Sequence, residues 1–299
     1  LKAIEDLPKE HPNLLRPGHS ACPGCGLIIA MRLVIEAMGS KTIVVVVPSC
    51  EAGSTGVYPN SCLGMPSFHS AFEIAAPTAA GISNALKILG KTDIQVLAFA
   101  GDGGTFDIGL NALSGVAKNN DDIVYVCLDN EGYMNTGIQV SSATPSFAWT
   151  GTTPEGNPRR KKHIMDIMAA HYNPYSATAT VGFPLDLRRK INKAKGIRGT
   201  KFIHMLTPCP TGWRMPYDLS PDISVLAVET NIFPLYEVED GVRYTINHIP
   251  RRLPVEEYLL LQGRFKHLTK EDIQRVQKDA DDEWEKLQYK AQRSLQKAG

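Results

Sequence analysis

Ile94-Gln-Val-Leu-Ala-Phe-Ala-Gly-Asp-Gly-Gly-Thr-Phe-Asp-Ile-Gly109, continued by Ile123-Val-Tyr-Val-Cys-Leu-Asp-Asn-Glu-Gly-Tyr-Met-Asn-Thr-Gly137, is the stretch whose reading decides the fold. It runs as an apolar strand, a glycine turn holding one acid, a helix, a second apolar strand, and a polar turn that begins at Asp129-Asn130. That order is a βαβ unit of a parallel sheet. Both polar turns leave the carboxyl ends of strands, where open α/β sheets bind ligands. Asp102 and Asn130 are therefore expected close together.

Around this unit lies a chain of 299 residues, 43% hydrophobic and 21% charged, an ordinary globular composition. A net charge of +1 gives no electrostatic footprint for nucleic acid or an anionic membrane. The densest apolar run, Thr42 to Pro48, is too short to span a bilayer, and the charged start Leu1 to Pro17 lacks the apolar core of a signal peptide. A cytoplasmic location is the expectation. Six cysteines are too few for a disulfide scaffold in a chain this long.

In chain order, residues 1–20 are polar and proline-bearing and predict an extended arm. Cys22-Pro-Gly-Cys25 precedes a helix over Leu27 to Met38; a strand, Thr42 to Val47, then leads to Cys50. Residues 51–68 show no period and read as a covering loop. Phe72 to Leu89 reads as a helix despite Pro77. Ser141 to Pro158 is a long loop of the kind that binds ligands. Further on, helices are expected near His163 to His171 and over Leu185 to Lys195, with strands near Ser176 to Thr180 and Lys201 to Leu206. A hairpin is expected around Asp240-Gly241. Val255 to Gln296 is highly charged with a thin apolar stripe, which fits a solvated helix or an arm on a partner subunit.

A dinucleotide fingerprint fails at the central turn, because Phe106 stands where a third glycine is needed. Asp102 would also repel a bound diphosphate unless a divalent cation lay between them. Mg²⁺ suits that place, since it takes a few protein oxygens together with substrate phosphates. Asn130 can offer an amide oxygen, and the Gly132 carbonyl a third ligand. The plainer reading is a tight turn and a turn-forming asparagine.

The cysteines have rival readings too. Cys22-x-x-Cys25 as a redox dithiol should follow a strand, and it does not. As a zinc site it lacks a second close pair of ligands. Cys50 and Cys209, both after strands on the same sheet edge, would bring four thiolates together with it, a set suited to a [4Fe-4S] cluster. Cys127 lies inside an apolar strand and reads as core. Cys62 remains a possible ligand in place of Cys50 or Cys209, and His19 and His69 flank the same loops.

Gly101-Asp102-Gly103, with Asn130 28 positions after the acid (130 minus 102), resembles the thiamine diphosphate motif. The longer text from Gly101 to Gly109 and from Asp129 to Gln139 resembles the β subunit of 2-oxoacid:ferredoxin oxidoreductases of the pyruvate synthase type, over about Gly18 to Gly241. The resemblance implies an α/β, parallel-sheet, three-layer thiamine-diphosphate-binding (PP-type) fold with a C-terminal hairpin and helical arm. It divides the chain into an arm (1–20), a cofactor and cluster domain (21–215) and a partner-packing extension (216–299). It implies Mg²⁺ on Asp102, Asn130 and Gly132, and phosphate on Gly101, Gly103, Gly104 and Thr105. A [4Fe-4S] cluster would sit on Cys22, Cys25, Cys50 and Cys209, with Asn135 near the substrate.

The implied activity is oxidative decarboxylation of a small 2-oxo acid, with electrons passing through the cluster to ferredoxin and coenzyme A commonly taking the acyl group. The glutamate that activates thiamine belongs, by the same resemblance, to a partner α subunit, so an obligate hetero-oligomer is expected, with further ferredoxin-like clusters. Pyruvate is the commonest substrate of the subfamily. Asn60 to Pro66 departs from the tryptophan-bearing pattern of pyruvate enzymes, which brings in oxalate, whose oxidation yields only CO₂. The reading from another class is a non-catalytic iron-sulfur electron-transfer subunit.

Overall fold

In a computed structural model that describes residues 13–296, the Ile94 segment forms β3 (Gln95–Gly101), an inner strand of an eight-stranded sheet. The other strands are β1 (Thr42–Val46), β2 (Ser67–His69), β4 (Ile123–Asp129), β5 (Tyr175–Thr180), β6 (Thr200–Leu206), β7 (Tyr236–Glu239) and β8 (Arg243–Ile246). Their order is β2-β1-β3-β4-β6-β5-β7-β8; the first six are parallel, and β7 and β8 are antiparallel additions at one edge. β3 and β4 are buried nearly throughout, which is why they read as near-continuous apolar runs without alternation; β6 is buried as well but carries Lys201 and His204, which pair with Asp122 and Asp129.

Helices cover both faces and make three layers. On one face α1 (Gly26–Met38) packs against α6 (Pro184–Lys195), burying Met31, Val34, Ile35, Leu187 and Ile191. On the other lie α3 (Ala75–Ile88), α4 (Leu110–Asn119) and α5 (Ile164–Ala169), over Phe106, Leu113, Tyr125 and Met168. Pro77 is harmless because it is the third residue of α3, where its missing N–H would have no partner within the helix.

Residues 51–68, expected as a loop, open with a short helix, α2 (Cys50–Thr55), and close with β2. The helix is too brief to show a period. Its signals are Ser49, whose hydroxyl accepts from the Glu51 N–H at 3.4 Å, and Gly56, with φ +67°. Of the expected N-terminal arm, residues 1–12 lie outside the described residues. The stretch that follows is pinned, with Leu14 and Leu15 buried and hydrogen bonds from the Gly64 N–H to the Leu14 carbonyl and from the Arg16 N–H to the Cys62 carbonyl.

The remaining elements are α7 (Pro210–Trp213), α8 (Ser220–Glu229), α9 (Val255–Leu259) and α10 (Lys270–Gln296). The hairpin turn at Asp240 (φ +52°) and Gly241 (φ +69°) has the two left-handed residues that the sequence calls for. Between α9 and α10 the expected helical run is broken by a short 3-10 turn, Gly263–Phe265. A third core, built on Trp213, Ile223, Phe233, Tyr258 and Phe265, joins this extension to the segment after β6. Among the described residues no helix is long and apolar enough to cross a membrane.

Candidate functional site

Four adjacent strands, β1, β3, β4 and β6, present their carboxyl ends in a row. Cys50, Asp102, Asn130 and Cys209 follow these ends in that order, so the sheet sets charged turns between two cysteines. Neighbouring strands lie about 4.8 Å apart, close enough for side chains of adjacent turns to meet.

They do meet. The amide oxygen of Asn130 faces Asp102 Oδ1 and the Gly132 carbonyl, two other acceptors; an amide nitrogen turned to that place would stand 3.1 Å from the first and 2.8 Å from the second. Its Nδ2 lies 3.8 Å from Cys50 Sγ. Asp102 Oδ2 accepts from the Ser141 hydroxyl, which belongs to the long loop expected to bind ligand. Asp102 is buried, and burial together with the Asp129 charge holds its carboxyl well above the usual range.

After Asp102 the chain enters a π-helical turn, Gly103–Asp107, whose first hydrogen bond runs from the Ile108 N–H to the Gly103 carbonyl. A Cβ on Gly103 would lie 2.3 Å from the Tyr133 ring, so only glycine fits. Tyr133 in turn donates to Asp107 Oδ2 at 2.9 Å and ties the two turns together. Thr105 points inward: its hydroxyl donates to the Gly101 carbonyl at 2.8 Å and lies 3.1 Å from Tyr125 Oη. Gly104 packs against Phe72, and Asn135 is exposed, with its amide beside Gly53.

The cysteines divide clearly. The Cys22–Cys25 turn docks on the segment after β6: the Gly26 N–H donates to the Pro208 carbonyl at 3.0 Å, and Ser220 Oγ donates to the Gly24 carbonyl. Gly24 has φ +65° and no room for a side chain against Tyr217. Cys209 Sγ accepts from the Gly212 N–H at 3.3 Å. Burial, then Glu51, Cys209, Cys25 and Asp102, push the Cys50 thiol up to about 12. Burial raises the Cys209 thiol to about 11, with Cys25 and Cys22 adding to the rise. Cys50 thus feels Cys209 and Cys25, and Cys209 feels Cys25 and Cys22. Cys62 is buried away from them, with Arg32 as its charged neighbour, and Cys127 is core in β4. Among the described residues no group of three or more His, Cys, Asp or Glu side chains is arranged to hold a metal ion.

His19 Nδ1 and His69 Nε2 are buried atoms without hydrogen-bond partners among the described residues. Several site residues escape the sequence reading. Glu51 is wholly buried, neither carboxylate oxygen has a hydrogen-bond partner among the described residues, and burial pushes it up to about 8. Behind Asn130 lies an ion network. Asp129 accepts from Lys161 (2.6 Å) and pairs with His204 (2.7 Å), and Glu131 takes Lys161 (3.1 Å) and Arg264 (2.6 Å). Burial works against the charge of Asp129, but Lys161 and His204 prevail and lower its pKa. The acids flanking Asn130 are a sequence signal; Lys161, His204 and Arg264 carry none, because the fold alone brings them there.

Residues 51–205 match the family of the thiamine pyrophosphate enzyme, C-terminal TPP binding domain. Ketoisovalerate oxidoreductase subunit VorB of Pyrococcus furiosus is 48% identical over 288 residues, 92% of each chain. Pyruvate synthase subunit PorB of Methanocaldococcus jannaschii is 48% identical over 279 residues, 89% of this chain and 93% of that one. A solved 2-oxoglutarate:ferredoxin oxidoreductase from Magnetococcus marinus superposes with a TM-score of 0.58 at 23% identity, over 69% of this chain and 70% of that chain, a likeness of fold.

Proposed function

The chain belongs to the thiamine pyrophosphate enzymes, among the β subunits of 2-oxoacid:ferredoxin oxidoreductases, and from that premise we propose the finer reading of its site. It acts on a small 2-oxo acid, pyruvate or oxalate, with Mg²⁺ and thiamine diphosphate at the central turns and a [4Fe-4S] cluster on Cys22, Cys25, Cys50 and Cys209.

One observation carries the metal. Ligand oxygens of an octahedral Mg²⁺ at about 2.1 Å stand about 3.0 Å from one another. Asn130 converges with the Gly132 carbonyl and Asp102 Oδ1 at 2.8 and 3.1 Å, the spacing of an octahedral edge when the amide oxygen is turned inward; turned the other way, the amide nitrogen donates to both acceptors and holds the same three groups together without a cation. Buried Asp102 gains a reason to be ionised there. The N–H groups of Gly103, Gly104 and Thr105 open the turn and suit phosphate oxygens, Thr105 through its backbone because its hydroxyl is engaged with Gly101. Cys50 and Cys209, partly buried and each pushed up by burial and by neighbouring thiols, fit a cluster that would hold them as thiolates with Cys25 and Cys22, and the Gly212 N–H on Cys209 is a hydrogen bond of the kind that tunes one.

When bound, thiamine diphosphate supplies an electron sink for loss of CO₂, and the cluster a one-electron acceptor beside it. This chain's residues hold the diphosphate end, and exposed Asn135, beside Gly53, reaches toward substrate. The thiamine-activating glutamate comes from an α subunit, with ferredoxin as the electron partner.

The test is anaerobic purification with the partner subunits, analysis for thiamine, magnesium, iron and sulfide, and ferredoxin reduction with pyruvate and with oxalate, each with and without coenzyme A. Thiamine diphosphate retained only with Mg²⁺ supports the reading. A cluster-replete complex that binds no thiamine diphosphate at saturating Mg²⁺ would refute it in favour of simple electron transfer.

A further inference from the structure

We propose that Arg264, delivered by the C-terminal extension from 133 positions away, is the positioning residue of the cation turn Asn130–Gly132. The proposal rests on the Mg²⁺ and thiamine diphosphate reading above. Arg264 is 1% exposed and touches three segments of the site. Its Nη2 donates to Glu131 Oε2 at 2.6 Å. Its guanidinium lies 4.1 Å from the ring centre of Trp213, just after Cys209. Its carbonyl accepts from the Trp149 N–H at 2.9 Å, in the loop that brings Ser141 to Asp102. Arg264 is itself held, with Nε on Gln262 Oε1 at 2.8 Å.

The turn needs such a hold. Glu131 has φ +67°, a left-handed conformation that is strained for a non-glycine residue and persists only where its surroundings impose it. The imposing contacts are visible. The Glu131 N–H donates to Asp129 Oδ1 at 2.9 Å, Thr144 Oγ1 donates to the Glu131 carbonyl at 2.9 Å, and Trp213 Nε1 donates to the Asn130 carbonyl at 2.8 Å. Arg264 secures both ends of this set, Glu131 directly and Trp213 by stacking. The reversal at Glu131 is what returns the Gly132 carbonyl to within 2.8 Å of the Asn130 amide. A hydrophobic side chain would fill the place of Arg264 without paying for desolvation of its charge, so stability alone does not call for arginine. Placement of the ligands does. Lys161 holds the other carboxylate oxygen of Glu131, Oε1, at 3.1 Å, so loss of Arg264 leaves a cation beside Glu131 and acts chiefly on its position.

The experiment uses the complex with its partner subunits and measures retention of thiamine diphosphate by equilibrium dialysis against increasing Mg²⁺, well below the melting temperature. In Arg264→Met the Mg²⁺ midpoint rises at least about tenfold, as for other groups that orient metal ligands, while iron content stays at the wild-type level. Arg264→Lys restores part of the shift by keeping a donor to Glu131 without the stacking on Trp213. Glu131→Gln, which keeps the shape of the turn, moves the midpoint in the same direction and serves if Arg264→Met does not assemble. A merely structural arginine would lower the melting temperature and leave the midpoint in place, and that result overturns the proposal. Wild-type complex without Mg²⁺-dependent retention would instead overturn the cofactor reading itself, and the clamp with it.

Discussion

Asp102 divides its two oxygens, Oδ2 to Ser141 and Oδ1 to the Asn130 face, and the proposed Mg²⁺ site rests on this division. Asp102→Asn keeps the shape and removes the charge that draws a cation. Mg²⁺-dependent retention of thiamine diphosphate should fall about a hundredfold or more, beyond the usual loss for an outer-sphere group, with folding intact by circular dichroism. Gly103→Ala fails for another reason: its methyl group meets the Tyr133 ring at 2.3 Å, so Tyr133 must leave Asp107. The expected loss of stability is about 1 to 3 kcal/mol, read in thermal melting together with weaker cofactor retention. Among the cysteines the contrast is sharper. Cys62→Ser should leave iron and sulfide content unchanged, whereas Cys50→Ser should lower both, since Cys50 feels Cys209 and Cys25 while the charged neighbour of Cys62 is Arg32.

At the scale of elements, the antiparallel ribbon β7–β8 is tied to α6 by ions as well as by strand pairing. Glu237 is buried and meets Lys193 and Arg189, with Asn247 on its other side. Burial opposes its charge, but the Lys193 and Arg189 hydrogen bonds win and bring the carboxyl from 4.5 down to about 2. A carboxyl lowered in the folded state stabilises fully above its unfolded value and loses that contribution as pH falls toward the folded one. Glu237→Gln should therefore be less stable than wild type at pH 7, by about 1 to 2 kcal/mol given the partly exposed lysine and arginine. The gap in melting temperature should close between about pH 4.5 and pH 2. A gap constant with pH would mean that the ion cluster contributes no charge energy. α10 illustrates the opposite balance. Its sequence is mostly charged, yet Ala280, Trp284 and Leu287 are buried, so the thin stripe is what docks it. Trp284→Ala should cost about 3 to 5 kcal/mol and free the helix, visible as faster amide exchange along it.

As a whole molecule the chain is one sheet whose carboxyl edge hosts the site, with a C-terminal extension that returns to brace it. By itself it should not oxidise a 2-oxo acid; activity should appear only on mixing with the α subunit, and activity of the isolated chain would remove the need for a partner glutamate. The sequence alone determined the βαβ unit, the pairing of Asp102 with Asn130 and the hairpin at Asp240-Gly241. Each depends on local spacing: apolar period, turn residues, and the rule that loops at adjacent strand ends are neighbours. The short helix after Cys50 was not legible, because six residues carry no period. Tertiary structure decided the rest. It set Cys62 beside Arg32, turned the Thr105 hydroxyl inward, left Glu51 buried with no hydrogen-bond partner among the described residues, and assembled Asp129, Lys161, His204, Glu131 and Arg264 behind the Asn130–Gly132 turn. Such contacts join residues up to 133 positions apart, and a buried charge finds its partner only when packing has excluded water from both.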